Sequence, residues 1–355
     1  LNEFIFILEG KLIMAQLVKL QDYISRYQID LKRYPSQFVR LKQIQWERMK
    51  KEWETGAEIE QWEHESEELE KKQRNPFFKK VFSFSLKKKD EAFEQEELVH
   101  NDEVQDETSL IHGVTDEEDM PEEIMTLDFE PNILYRPQTA EELKRMYIDQ
   151  LFQFQLKWAS STLREKSYVE PRYQRDSLLR ALTQNLPDSY LLFYYPILQL
   201  KKAPIEMGII LFTPTSCLCI QVLEEEERAS FIGSGERFWV KKVGTTDKKV
   251  LSPLISLNRM ESILKQLFTN DQIDIPIHKI VLSRNGYIDY PGSAYGVQFI
   301  DKRKFPEWFS NLKKNPSPMK HMQFKAAQSV LNTGQTTSFH RTNWDTKTEE
   351  KDMDQ

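Results

Sequence analysis

With 355 residues, 39% hydrophobic and 30% charged, the chain is too long and too polar for one compact core to hold all of it. A formal net charge of −7 excludes a generic nucleic-acid binder, whose phosphate contacts need a basic face. Only two cysteines are present, Cys217 and Cys219, which excludes a secreted disulfide framework and predicts a reducing, cytoplasmic compartment.

The apolar run in LNEFIFILEGKLI is flanked by Glu3 and Glu9 and has no basic segment before it, unlike a signal peptide, and it is too short to span a bilayer. Glu9-Gly10 back-translates to a bacterial ribosome-binding sequence just before Met14. Translation is therefore expected to start at Met14, with residues 1–13 a mis-called leader. Leu17, Leu20, Ile24, Tyr27 and Leu31 recur at 3-4-3-4 spacing, which predicts an amphipathic helix with a narrow seam. Tyr34-Pro35-Ser36 is expected to end it, and Ser36 to cap a second helix through Phe38, Leu41, Met49 and Trp53. Residues 14–74 thus read as a helical hairpin, packing on itself or the main domain, or self-associating through residues 14–53.

Residues 75–137 combine a basic-aromatic patch with an acidic linker. Phe77, Phe78, Phe82 and Phe84 lie among Lys79, Lys80, Lys87, Lys88 and Lys89, a mixture suited to weak contact with a membrane surface or nucleic acid. The blander reading has the phenylalanines pack on the main domain, with the acidic tract neutralising the lysines. Residues 90–130 hold seventeen Asp or Glu and no Lys or Arg, which predicts disorder by self-repulsion. Thr139-Ala-Glu-Glu142 is a capping-box pattern that opens a helix in residues 138–167, with Leu143, Tyr147, Leu151, Phe154 and Trp158 on its buried face.

The core is placed at residues 168–313. A helix is expected over 176–184, where Asp176 caps or decorates it, and a strand over 190–200, edged at Pro196. Further strands are expected at 205–212 and 217–223, joined by the turn Thr213-Pro-Thr-Ser216, and at 238–243. Ser252-Pro253 starts a helix to Phe268. Strands follow at 277–282 and 296–300, then a helix at 306–312, and residues 314–355 read as a disordered tail.

That order, with its hairpin on TPTS, resembles the nuclease-related domain (NERD) family, whose fold belongs to the PD-(D/E)XK restriction-endonuclease-like group. The family runs from a helix through "EID", a strand, a small turn and "hhIExK", then an Asn-Pro helix start and another strand. Ile205-Glu206-Met207-Gly208 stands at the EID position, Ser216-Cys217-Leu218-Cys219-Ile220 at the turn and second strand, Gln221-Val222-Leu223 at ExK, and Ser252-Pro253 at the Asn-Pro start. The likeness covers about 40% of the chain. The resemblance implies an α/β class: a restriction-endonuclease-like mixed sheet flanked by helices, with the helical hairpin and acidic linker ahead of it.

In such a site an Asp and a Glu hold Mg²⁺ through oxygen ligands, and a Lys orients the attacking water. Here those positions read Gly208, Gln221 and Leu223, none of which can do that work. The implied protein is a bacterial, cytoplasmic pseudo-nuclease that binds no metal and acts as an interaction or regulatory module with an unnamed protein partner. One alternative is a Mg-dependent nuclease with relocated groups, Glu206, Glu224 and Lys241. On strand alternation Glu206 would share a face with Gly208. The other alternative is nucleic-acid binding without cleavage, through Lys241, Lys242 and residues 75–89. Cys217 and Cys219 read as two buried, inert thiols.

Overall fold

The computed structural model describes residues 12–55, 129, 131, 135, 137–162, 165–200, 203–224, 229–292, 295–314 and 317–337. The basic-aromatic stretch with Lys79, Lys80, Lys87, Lys88 and Lys89, the acidic tract up to residue 128 and the chain beyond residue 337 lie outside them. The chain divides into two compact units, residues 1–48 with 139–355, and residues 49–138.

In chain order the first unit contains β1 (Gln16–Leu20), a 3-10 turn (Arg26–Gln28) and the start of α1 (Arg33–Thr55). It continues with α2 (Ala140–Trp158), α3 (Pro171–Arg175), α4 (Ser177–Gln184), β2 (Leu191–Tyr194), β3 (Ile197–Leu200), β4 (Ala203–Glu206), β5 (Ile209–Phe212) and β6 (Cys217–Val222). Then come β7 (Ser230–Ile232), β8 (Phe238–Val243), β9 (Thr246–Leu251), α5 (Pro253–Asn270), β10 (Ile277–Leu282), β11 (Tyr287–Asp289), β12 (Val297–Ile300), α6 (Phe305–Lys313) and α7 (His321–Asn332). In the second unit, the end of α1 carries a Lys50–Glu54 ion pair of 3.7 Å, and Trp53 Nε1 donates to the Pro137 carbonyl at 2.9 Å.

The main sheet has six strands in the order β1-β2-β5-β6-β10-β12. All are parallel to their neighbours except β5, which runs antiparallel to both β2 and β6. β2 and β5 are wholly buried, so their runs of Leu, Ile and Phe do not alternate with polar residues. α2 packs on β1 and α4, α4 on β2, and α5 on β6 and β10. A second sheet, β11-β7-β8-β9, and a ribbon of β3 with β4 complete the mixed α/β architecture.

The N-terminal helical hairpin does not form. Residues 16–20 are an edge strand, parallel to β2 and buried at every position, including Gln16 and Lys19. Leu17, Leu20, Tyr27 and Leu31 face the chain's own core, so no seam is left over residues 14–31 for self-association. The outer edge of β1 would carry unpaired backbone groups, and a side chain closes it. Gln155 of α2 accepts from Leu17 N at 2.7 Å and donates to the Ala15 carbonyl at 3.2 Å. Pro35 does not break a helix, because it lies in the first turn of α1, where backbone N–H groups lack intrahelical partners. Asp30 caps that turn instead, accepting from Lys32 N and Arg33 N at 2.9 Å each.

Two long strands break where one was expected. Tyr195 adopts a left-handed backbone, φ 48°, and separates β2 from β3. Met207-Gly208 likewise separates β4, which belongs to the ribbon, from β5 in the main sheet. The tail contains α7, whose Ala326, Ala327, Val330 and Leu331 are buried. Gln323 on that helix is fully buried and donates to the carbonyls of Ser189, at 2.5 Å, and Phe212, at 3.1 Å. β7, β9 and β11 are strands the sequence pattern did not reveal. Among the described residues, no helix is long and apolar enough to cross a membrane.

Candidate functional site: the mouth of the β5–β6 hairpin

β5 and β6 pair in register from Ile209 with Ile220 to Phe212 with Cys217. Their turn is held by one side chain: Thr213 Oγ1 accepts from Ser216 N at 3.0 Å and Thr215 N at 3.3 Å. The open end of the hairpin brings Gly208 beside Gln221, which is the juxtaposition the NERD resemblance needs.

Gly208 is glycine for want of space. A Cβ there would lie 2.6 Å from the Ile220 carbonyl oxygen, 3.1 Å from Met260 Sδ and 3.2 Å from Gln221 Oε1. Its N–H donates to Met260 Sδ at 3.3 Å, and Met260 is a buried residue of α5. The space beside Gly208, where the NERD resemblance would put a metal ligand, is filled by a thioether and an amide. Leu223 sits at the end of β6 with its N–H on the Leu282 carbonyl at 2.8 Å, and offers no ionisable group.

The relocated candidates separate. Glu224 stands at the same end of the sheet but is committed to Arg284. Its Oε1 accepts from Arg284 N and Nε at 2.7 Å each, and its Oε2 from Nη2 at 2.6 Å and Nε at 2.8 Å. Arg284 Nη2 also donates to Ser177 Oγ at 3.0 Å, tying the exit of β6 to the start of α4. Glu206 ends β4, so strand alternation does not place it with Gly208 as expected; it is exposed, opposite Ile197. Lys241 is buried on β8, opposite Phe231 and Lys248 in the other sheet. Asp176 caps α4 as anticipated: Oδ1 accepts from Leu178 N and Leu179 N at 2.9 and 3.0 Å, and Oδ2 from Tyr194 OH at 2.6 Å.

Two residues not singled out from sequence organise this region. Arg284 lies 60 positions from Glu224, beyond any local pattern. Tyr195 has its phenol pushed up to about 12, first by burial and then by the charges of Asp176, Glu224 and Glu206, with Arg284 opposing. The charges of three carboxylates and one guanidinium thus reach this tyrosine. In the sequence only Pro196 marks the place, and it does not foretell the left-handed backbone of Tyr195.

These residues do not fit a divalent ion. No group of three His, Cys, Asp or Glu side chains suited to hold a metal occurs among the described residues. Of the nearby carboxylates, Asp176 and Glu224 have both oxygens hydrogen-bonded within the protein. Cys217 and Cys219 are free and fully buried, and burial, with a hydrogen bond donated by the Cys217 thiol to Cys219, pushes the Cys217 thiol well up.

No protein-family model matches the chain, and no solved structure matches it significantly. Among curated proteins, the RNA 2',3'-cyclic phosphodiesterase of Geobacillus stearothermophilus is 51% identical over 47 residues. That match covers 13% of this chain and 15% of the relative's length, so the likeness is confined to a short segment.

Proposed function

We propose that this chain is a NERD-like module whose cleavage site has closed, and that it works as an interaction or regulatory protein in the bacterial cytoplasm. The observation that carries the reading is the occupation of the Gly208 position by Ile220 O, Met260 Sδ and Gln221 Oε1. A lost ligand in an open cleft can be replaced by a neighbouring carboxylate; a packed cleft has no room for the ion. The order helix, hairpin, Pro-started helix and parallel strand (α4, β5–β6, α5, β10) supports the family likeness, as does a mixed sheet in which one strand runs against the rest. The test is to incubate the full chain with plasmid and single-stranded DNA in Mg²⁺ or Mn²⁺, beside a calorimetric titration of each ion. The expected outcome is intact DNA and no stoichiometric uptake. Cleavage lost on Glu206→Ala would restore the relocated-carboxylate nuclease.

A second reading, nucleic-acid contact without cleavage, is favoured by the β8–β9 hairpin. Arg237, Lys242, Lys248 and Lys249 are exposed there beside Phe238, which is 48% exposed. Cations interleaved with an aromatic ring suit a single strand. A salt-dependent gel shift weakened by Lys248→Glu with Lys249→Glu would support it; an unchanged shift would remove it.

A further inference from the structure

Far along α5 from Met260, its C-terminal end borders a cavity of about 420 Å³ shared with α7 and the approach to α1. The volume falls within the usual range for small-molecule sites. Buried Leu31 and half-buried Phe324 supply its apolar wall. Ser329, only 5% exposed, borders it, with its hydroxyl buried and without a hydrogen-bond partner among the described residues.

The charges around the cavity are also unspent. Lys32 and His321 make no ion pair or side-chain hydrogen bond among the described residues, and Lys325 makes only a long contact, 3.4 Å, with the Gln272 carbonyl. Against the two ammonium groups stands one carboxylate, Asp271, also without an ion-pair partner among the described residues. Gln328 and Asn332 bond to each other at 2.7 Å and close one side. Two ammonium groups outweigh one carboxylate, so the cavity favours an anion. Asp271 then suits a hydroxyl donor on the same ligand.

We infer that this cavity binds a phosphate monoester of a small hydroxyl-bearing organic group, with the phosphate held by Lys32 and Lys325 and the organic part against Phe324 and Leu31. Nothing in it depends on the state of the β5–β6 hairpin.

Adenosine 5'-monophosphate is a suitable probe, because it pairs a phosphate with ribose hydroxyls and a ring able to lie on Phe324. Calorimetric titration of the full chain is expected to show saturable binding of this nucleotide, weaker binding of inorganic phosphate, and much weaker binding of adenosine. Lys325→Gln and Lys32→Gln should each reduce affinity about tenfold, as loss of one charge-assisted hydrogen bond predicts. Absence of binding at millimolar nucleotide, equal affinity for adenosine, or affinity unchanged in both lysine variants would overturn the inference.

Discussion

The β5–β6 and β8–β9 hairpins share a backbone plan and differ in what surrounds them. β5–β6 lies in the middle of the six-stranded sheet, with neighbours on both sides and α5 against β6. β8–β9 ends the second sheet, and β9 is exposed at every position except Val250. Burial has made the first hairpin apolar and has closed its mouth around Gly208. Exposure has let the second collect lysines. The same contrast holds for single residues: Lys248 and Lys249 stand in water, whereas Lys19 is fully buried on β1, its ammonium giving one hydrogen bond to the Tyr23 carbonyl at 2.6 Å.

The sharpest way to break the comparison is to force an acid into the closed mouth. Gly208→Asp must displace the Ile220 carbonyl and bury a carboxylate, and should cost about 3 kcal/mol or more in urea denaturation. A near-neutral result would mean the mouth is open. Glu224→Gln comes next. It leaves the Arg284 guanidinium, 23% exposed, without its counter-charge, at a cost of about 3 kcal/mol, and pairing the change with Arg284→Met should recover part of the loss.

Lys19 gives a pH test. Burial lowers its pKa from 10.5 to about 7, with attraction from Asp22 opposing. Between those values the unfolded chain binds more protons than the folded one, so stability rises with pH, by up to about 1.4 kcal/mol per unit. The Cys217 thiol, pushed up from its ordinary 9.0, acts in the opposite sense above that value, so the clean window is pH 7 to 9. Denaturation midpoints across it should climb, and Lys19→Met should flatten the climb. The smallest effect belongs to the open hairpin: Lys248→Glu should change stability by no more than about 0.5 kcal/mol.

What the sequence disclosed follows the same division. β5, β6 and β10 announced themselves as apolar runs, and α2 through a stripe from Leu143 to Trp158 that is buried throughout. β1 was misread because Leu17, Leu20, Ile24 and Tyr27 keep helical spacing while serving a strand, the loop after it and a 3-10 turn. Such spacing says which residues are buried, not which backbone carries them. β9, reading TDKKVL, offers no alternation of apolar and polar residues, and its ladder with β8 alone makes it a strand. At the candidate site, the positions Gly208, Gln221 and Leu223 were legible by order along the chain. That Met260 fills the space, and that Arg284 claims Glu224, depends on contacts 52 and 60 residues apart.

The segment after α7 runs back over β3 and the turn after β1. Gln199 N donates to the Thr333 carbonyl, Gln335 N to the Ile197 carbonyl, and Thr337 bonds Asp22 through both its N–H and its hydroxyl. A piece trimmed to residues 168–313 would thus lose an outer strand at one border and a covering helix at the other, leaving two raw flanks on a sheet meant to be enclosed. Dissecting this protein into a stand-alone catalytic-looking half would yield an aggregating fragment, and its behaviour would say little about the intact molecule.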